Sequence, residues 1–86
     1  MSDNETPDNG GAIPRDVAVL GGGSFGTAMA KVLGENGHRV HFWMRDEQQA
    51  AEIRETGINK RYMPNVVLEG DIQPTTDLED AVQKAE

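Results

Sequence analysis

In VAVLGGGSFG, residues 17–26, an apolar run leads directly into the pattern G-x-G-x-x-G, and this junction is the strongest indication of the fold. A continuous apolar run is typical of a parallel strand that is covered on both faces. In this pattern Gly21 permits a tight turn out of the strand, Gly23 lets the backbone approach a phosphate, and Gly26 lets the next helix pack closely. The free N–H groups and the dipole of that helix would face the anion. The stretch therefore predicts a pyrophosphate-binding turn between a strand and a helix.

The residues that follow extend this turn into a helix and a second strand. Apolar residues recur at the i, i+3, i+4, i+7, i+8 spacing of an amphipathic helix: Phe25, Ala28, Met29, Val32 and Leu33. Gly37 can end that helix in the left-handed conformation, and a strand is predicted over residues 39–44. The resulting βαβ unit has the length that a dinucleotide-binding fingerprint requires, which favours that interpretation over a structural glycine turn.

A second helix is predicted over residues 46–56. Asp46 can cap its first turn, Gln49 is the reciprocal partner three residues on, and Gly57 lies just past its end. Residues 58–64 are expected to form a loop, because polar residues and a proline interrupt any period there.

A third strand and a third helix complete the order β-α-β-α-β-α. The strand is predicted over residues 71–73, since Pro74 makes it short or an edge segment. Thr76 and Glu79 form a second capping box. The helix that follows has its apolar residues on one face: Leu78, Ala81, Val82 and Ala85. Right-handed crossovers put the first strand beside the second and the third outermost, so the predicted fold class is α/β, the N-terminal half of a doubly wound, Rossmann-type parallel sheet.

Composition narrows the classes of partner. The 86 residues carry a formal net charge of -7, which argues against nucleic acid and against an anionic membrane surface. The absence of cysteine excludes disulfides and thiolate metal sites. His38 and His41 have no partner at metal-ligand spacing, so no metal site is predicted and both are expected at the surface.

The chain is short for a complete dinucleotide-dependent enzyme. Residues 1–15 are polar, without the pattern of a signal peptide or a membrane span, and are expected to form a flexible tail. Residues 16–86 would then form a partial NAD(P)-binding domain that lacks its second half. Because the strand at residues 17–20 has no predicted partner on its free edge, the chain alone is expected to be marginally stable, self-associating or partly ordered.

Four further segments match one known family. They are Asn36-Gly37-His38, Trp43-Met44-Arg45-Asp46, Asn59-Lys60-Arg61-Tyr62-Met63-Pro64 and Thr75-Thr76-Asp77-Leu78. The family's glycine motif G-A-G-S-W-G-T-A stands here as GGGSFGTA, with Gly22 for the alanine and Phe25 for the tryptophan. From about residue 16 to its end, the chain resembles the N-terminal part of bacterial NAD(P)-dependent glycerol-3-phosphate dehydrogenase.

This resemblance implies a cytoplasmic oxidoreductase that interconverts dihydroxyacetone phosphate and sn-glycerol 3-phosphate with NAD(P)H and so feeds phospholipid synthesis. Ser24, Phe25 and Arg45 match the family's cofactor contacts, and Tyr62 is a further candidate from the loop. The family's catalytic lysines, its substrate-phosphate contacts and its helical substrate domain lie beyond residue 86. No catalytic residue is therefore assigned, the chain alone is predicted to be inactive, and a homodimer remains open.

Arg45 bears on the choice between NADP(H) and NAD(H). It is expected at the end of the second strand, near the adenosine ribose, where an arginine can pair with the 2′-phosphate of NADP and an acidic residue would favour NAD. If Asp46 caps the next helix, its carboxylate is occupied and Arg45 faces the cofactor. NADP(H) is therefore favoured, while NAD(H), dual use and a merely solvated Arg45 remain open.

Several residues keep a second interpretation. Ser24 would bond a phosphate oxygen, cap the first helix, or both, and Phe25 would border the cofactor or pack. Lys60 and Arg61 could form an anion site, although a solvated loop pair is favoured.

Two other functions also fit the fingerprint. The same turn could serve a non-catalytic dinucleotide-sensing module, or another hydroxyacid or ketopantoate-type reductase. The loop at residues 59–64 favours the glycerol-3-phosphate dehydrogenase resemblance over the second of these.

Overall fold

The computed structural model describes residues 13–85, so the tail expected over residues 1–15 lies outside the described residues up to residue 12. Strands and helices alternate along the chain: β1 (Asp16–Leu20), α1 (Ser24–Glu35), β2 (Arg39–Trp43), α2 (Glu47–Thr56), β3 (Asp71–Thr75) and α3 (Leu78–Lys84). The strands form one parallel sheet in the order β1-β2-β3. None of the helices in residues 13–85 is long and apolar enough to cross a membrane. The predicted α/β class and the order of the elements are confirmed.

The register of the sheet places the carboxyl ends of the strands along one edge. Leu20 lies beside Trp43, and Trp43 lies beside Thr75. α1 packs against all three strands, α2 against β3, and α3 against β1 and β2. These contacts bury a core centred on β2: Val19, Ala30, Val40, Phe42, Met44, Ala50, Ile53 and Leu68. The turns after the strands open onto this edge, where open parallel sheets bind their ligands.

α1 packs through its small residues, which corrects the predicted apolar face. The buried residues of this helix are Thr27, Ala30 and Gly34. Leu33 of the predicted face does pack against the core, but three larger apolar residues of that face are exposed: Phe25, Met29 and Val32. Small residues win because they let the helix approach closely, and a Cβ on Gly34 would already meet the carbonyl oxygen of Glu69.

α2 begins and ends where the sequence predicts. The Asp46 side chain accepts hydrogen bonds from the backbone N–H groups of Gln48 (2.8 Å) and Gln49 (3.4 Å), and Gly57 ends the helix with φ 76. Gln49 does not complete a capping box, which corrects that prediction. Its side-chain amide donates instead to the carbonyl oxygen of Gly22 at 2.9 Å, and this bond ties α2 to the glycine turn.

β3 is longer than predicted, and its length moves the start of α3. The strand runs past Pro74, which is accommodated because β3 is an edge strand of the described sheet. Asp77 rather than Thr76 is consequently the N-cap of α3, and its side chain accepts a backbone N–H of the first turn at 3.0 Å. The predicted apolar face of α3 is divided between a buried residue, Ala81, and two exposed ones, Leu78 and Val82.

His41 is buried, which corrects its predicted surface position. Only 4% of the residue is exposed, and its Nε2 lies 2.8 Å from Oδ1 of Asp16. Arg39 Nη1 donates to both oxygens of the same carboxylate, at 3.0 and 2.9 Å. A polar side chain on the central strand is tolerated here because the neighbouring strand supplies a charged partner. The cluster joins β1 to β2 at their amino ends, opposite the glycine turn.

Acidification should destabilise the fold through Asp16. The hydrogen bond from His41, opposed by burial and supported by Arg39, lowers the pKa of Asp16 below its usual value. A carboxyl group with a lower pKa in the folded chain stabilises the fold above its unfolded pKa, and this contribution is lost as the pH falls through the folded value. We expect the Tm to fall between about pH 5 and pH 2, and to fall less in an Asp16→Asn variant that starts from a lower Tm. Thermal unfolding of the wild type and of Asp16→Asn over this pH range measures the two changes in Tm. An equal fall in Tm in both would contradict the role of Asp16.

Candidate functional site

The glycine turn lies where β1 ends and α1 begins. The N–H of Gly21 donates to the carbonyl oxygen of Trp43 at 2.8 Å, so the turn stays attached to the end of β2. Gly21 has φ 115, a conformation that residues with a side chain rarely adopt. The tight turn expected at Gly21 is therefore present.

Gly23 and Gly26 have different surroundings. Gly23 is the N-cap of α1, with φ -80 and ψ -167, and a Cβ at this residue would meet nothing within 4 Å. A Cβ on Gly26 would overlap the carbonyl oxygen of Gly21. Gly23 thus exposes its backbone to open space, whereas Gly26 lets α1 begin directly against the turn. Because Gly23 is the cap, the capping role considered for Ser24 is wrong.

The N terminus of α1 offers hydrogen-bond donors and no opposing charge. The first N–H groups of an α-helix have no partner within the helix, and the first turn of α1 contains no acidic residue. The helix dipole adds a partial positive charge at the same place. This end of the helix therefore suits a phosphate group.

A cleft of about 250 Å³ opens beside the turn at the carboxyl ends of β1 and β2. It is lined by residues 21–23 of the turn, residues 43–46 at the end of β2, Gln49 of α2, and Arg61 and Tyr62 from the loop after α2. The structure brings together here four of the residues predicted to contact a cofactor: Gly21, Gly23, Arg45 and Tyr62.

The other predicted contacts line a second groove, of about 510 Å³, along the free edge of β1. Ser24, Phe25 and Gly26 contribute to this groove, and Gly21 and Gly23 line both cavities. Phe25 is 79% exposed, so the packing role considered for its ring is not found among residues 13–85. The cleft and the groove thus meet at the glycine turn.

Arg45, Asp46 and Arg61 carry the charges of the cleft. Asp46 accepts from the N–H of Gln48 through Oδ1 and from Nη2 of Arg61 through Oδ2, both at 2.8 Å. The hydrogen bond from Arg61, followed by that from Gln48, holds the pKa of Asp46 below its usual value. Arg45 is exposed and makes no hydrogen bond or ion pair within residues 13–85. Arg61, predicted as half of a solvated loop pair, is exposed as expected and also forms an ion pair with Asp46 at the cleft.

A known protein family matches this chain over the same residues that form the turn and the cleft. The model of the NAD-dependent glycerol-3-phosphate dehydrogenase N-terminus matches residues 16–86. The chain belongs to this family. The match includes the glycine turn and the loop that carries Tyr62, and it confirms the resemblance predicted from those segments.

Several glycerol-3-phosphate dehydrogenases are similar to this chain over part of their length. A glycerol-3-phosphate dehydrogenase (NAD(P)+) of Ectopseudomonas mendocina (strain ymp) is 57% identical over 70 residues, which are 81% of this chain and 21% of that protein. One from Acinetobacter baumannii is 52% identical over 66 residues, or 77% of this chain and 18% of that protein. The crystal structure of glycerol-3-phosphate dehydrogenase from Coxiella burnetii matches with a TM-score of 0.76 and 32% identity over 84% of this chain and 22% of that chain. The present chain thus spans about a fifth of the length of these relatives.

Sequence reasoning missed a buried polar cluster that lies behind the glycine turn of this chain. Thr27, Gln49 and Asn59 are 0%, 6% and 1% exposed, although such residue types are mostly found at protein surfaces. Asn59 opens the loop segment shared with the family, and this was the available signal. Its hydrogen-bond partners lie 10, 32 and 37 residues away along the chain, so no local pattern could identify them.

Proposed function

We propose that this chain is the first half of the NAD(P)-binding domain of a glycerol-3-phosphate dehydrogenase. The observation that carries the proposal is Gly23, whose backbone lies at the N terminus of α1 with open space where a side chain would stand. A pyrophosphate needs this space, because its oxygens must come within hydrogen-bond distance of backbone N–H groups. Membership of the family supports the reaction class of the complete protein, the interconversion of dihydroxyacetone phosphate and sn-glycerol 3-phosphate.

We expect the dinucleotide to lie across the glycine turn. N–H groups of residues 23–26 would hold its pyrophosphate, Arg45 and Tyr62 would contact the adenosine half, and Ser24 and Phe25 would border the remainder. This assignment is supported by the two cavities that meet at the turn. The bound nicotinamide supplies or accepts the hydride, and the residues of this chain bind and orient the cofactor.

The complete gene product tests this function through its turnover. We expect it to oxidise NADPH only when dihydroxyacetone phosphate is present, and to reduce the cofactor with sn-glycerol 3-phosphate. Cofactor binding without turnover of either substrate would support a dinucleotide-sensing module instead, and turnover of ketopantoate would support the other class of reductase. Since sn-glycerol 3-phosphate is the backbone of phospholipids, we expect the enzyme to serve lipid synthesis in the cytoplasm.

We infer that Arg45 favours NADP(H) over NAD(H). At the end of the second strand of this fold, an acidic residue accepts from the ribose hydroxyls, whereas an arginine pairs with the 2′-phosphate. Both oxygens of Asp46 already have partners, since Oδ1 caps α2 and Oδ2 is bonded to Arg61, so this carboxylate competes less strongly for the ribose hydroxyls than a carboxylate without partners would. Two guanidinium groups beside one engaged carboxylate leave a positive charge that suits the extra phosphate.

Replacing Arg45 by aspartate should shift the cofactor choice of the complete protein towards NADH. A hydrogen bond to a charged group contributes roughly 1.5–3 kcal/mol, so the affinity for NADPH relative to NADH should fall about 10- to 100-fold. Nucleotide fluorescence titrations give both dissociation constants. Lys60→Asp is the matched control, since it makes the same charge change at a residue whose Nζ lies 3.7 Å from Glu52 and outside the cleft lining. An unaltered ratio in Arg45→Asp, or an equal shift in the control, would contradict this role.

A further inference from the structure

Three buried polar side chains, which we call the amide cluster, lie directly behind the glycine turn. They are Thr27 from α1, Gln49 from α2, and Asn59 from the loop after α2. Buried amide and hydroxyl groups destabilise a fold unless their hydrogen bonds are satisfied. The hydrogen bonds of the amide cluster therefore show what holds these three elements together.

Every side-chain N–H and O–H of the amide cluster has an acceptor. Gln49 Nε2 donates to the carbonyl oxygen of Gly22 at 2.9 Å and to Asn59 Oδ1 at 3.2 Å. Asn59 Nδ2 donates to the same carbonyl oxygen at 3.0 Å and to Thr27 Oγ1 at 2.8 Å. Thr27 Oγ1 donates to the carbonyl oxygen of Gly23 at 2.6 Å. The arrangement fixes the orientation of both amides, because turning the Asn59 amide over would set its oxygen against the Gly22 oxygen.

This cluster determines the direction of one backbone N–H. In a trans peptide the C=O of one residue and the N–H of the next point in opposite directions, and no cis peptide occurs among residues 13–85. Two donors draw the Gly22 oxygen inwards, so the N–H of Gly23 points away from the amide cluster. That N–H donates no hydrogen bond within the described residues. It is therefore available to a ligand in front of the turn.

Two adjacent glycines give this peptide unusual freedom to rotate. Gly22 and Gly23 have no Cβ to restrict φ and ψ, so their shared peptide can turn over at little steric cost. The space beside Gly22 is filled by the cluster itself, since a Cβ there would lie 2.9 Å from Gln49 Nε2. The cluster thus supplies the restraint that the two glycines lack.

Asn59 also connects the turn to the other side of the cleft. Its carbonyl oxygen accepts from the N–H groups of Tyr62 at 3.1 Å and Met63 at 2.7 Å. The loop that carries Arg61 and Tyr62 is thereby anchored at the residue whose side chain holds the Gly22 oxygen. These backbone bonds survive a change of the Asn59 side chain, so the two effects can be separated by mutation.

We propose that Asn59 is a positioning residue for the cofactor pyrophosphate, acting with Gln49 and Thr27 through the Gly22–Gly23 peptide. The proposal rests on the proposed function, since it assumes that a dinucleotide binds at the turn. Asn59 acts without touching any cofactor atom. It stabilises the one orientation of the peptide in which the Gly23 N–H faces the phosphate, and so makes the turn ready to bind before the cofactor arrives.

The test compares two ligands in the complete protein: NADPH, and adenosine 2′-monophosphate, which has the adenosine half but no pyrophosphate. We expect Asn59→Ala to weaken NADPH binding about 10- to 100-fold and adenosine 2′-monophosphate binding less than about twofold. Asn65→Ala, at an exposed amide of the same loop, is the matched control and should change the affinity for neither ligand. Equal loss of both ligands would show that the cluster merely supports the cleft, and would overturn the proposal.

A second pair of variants covers the case in which Asn59→Ala fails to fold. Thr27→Val removes the hydroxyl that accepts from Asn59 while keeping the size of the side chain, and Thr27→Ser keeps the hydroxyl. We expect Thr27→Val to weaken NADPH about tenfold and Thr27→Ser to restore most of the affinity. Equal NADPH affinities in Thr27→Val and Thr27→Ser would overturn the proposal. A wild-type protein that binds neither NADPH nor NADH would overturn the proposed function itself, whereas tight wild-type binding that Asn59→Ala leaves unchanged would overturn only the positioning role.

Discussion

Gly23→Val should abolish NADPH binding by the complete protein while lowering its Tm only slightly, by the loss of a favourable N-cap residue. Gly23 has φ -80 and ψ -167, an extended conformation that valine adopts readily, and a Cβ there meets nothing within 4 Å. The fold therefore has room for the new side chain. The cofactor does not, since the side chain would stand where the pyrophosphate must approach the backbone. Because a hydrogen bond to a charged group contributes roughly 1.5–3 kcal/mol, losing two of them should lower the affinity at least about 100-fold, measured by nucleotide fluorescence.

Gly37→Val provides a control with the opposite signature. A Cβ on Gly37 also meets nothing within 4 Å, but this residue has φ 88, which strains any residue with a side chain. Gly37 ends α1 far from the cleft and the groove, neither of which it lines. Gly37→Val should thus lower the Tm and leave NADPH affinity unchanged. If Gly23→Val kept its affinity for NADPH, the glycine turn would not hold the pyrophosphate.

Gly26→Ala should destabilise the fold, although alanine is the better helix former. In an unhindered helix, this change would stabilise by about 1 kcal/mol. Here the new Cβ would overlap the carbonyl oxygen of Gly21. The backbone fixes the positions of both atoms, so no change of rotamer can separate them. α1 must therefore shift away from the turn. Because overpacking of this kind costs up to about 3 kcal/mol and sometimes more, we expect a net loss of about 2 kcal/mol or greater in the free energy of unfolding.

Chemical denaturation of the complete protein measures this loss. Ser24→Ala, at the exposed first residue of α1, is the matched control, and its free energy of unfolding should stay within about 0.5 kcal/mol of the wild type. We also expect Gly26→Ala to bind NADPH more weakly, since the shift of α1 moves the N–H groups of its first turn. Unchanged stability in Gly26→Ala would mean that α1 does not begin against the Gly21 carbonyl.

The sequence predicts the elements around the cleft because their signals are local. An apolar strand, a glycine with positive φ and a helix start follow one another within residues 16–26, and Asp46 caps α2 through backbone groups two and three residues away. Each signal depends on the geometry of a short segment of chain. The strand–turn–helix unit could therefore be placed from residue types alone.

Which residues become buried depends on packing between elements and was harder to predict. The apolar period of α1 pointed to Phe25 and Met29, but the helix contacts the sheet through Ala30 and Gly34, which allow a closer approach. His41 is buried because Asp16 on the neighbouring strand binds it, a pairing between residues 25 positions apart. The amide cluster was missed for the same reason.

The exposed apolar residues of α1 have a clear place in the structure. Phe25 and Met29 line the groove beside Leu20, along the unpaired edge of β1. The apolar spacing in the sequence thus correctly predicted that one face of α1 is apolar. Within residues 13–85, however, most of that face is exposed to solvent. Burial requires a second surface, and the sequence period of one helix carries no information about where that surface is.

A crystal structure of the complete protein with NADPH bound would show where the pyrophosphate lies. We expect pyrophosphate oxygens within hydrogen-bond distance of the backbone N–H groups at residues 23–26, with the 2′-phosphate beside Arg45. We also expect the Gly22 oxygen still to face the amide cluster. A pyrophosphate bound elsewhere, with the N–H of Gly23 turned away from it, would show that the glycine turn does not hold the cofactor.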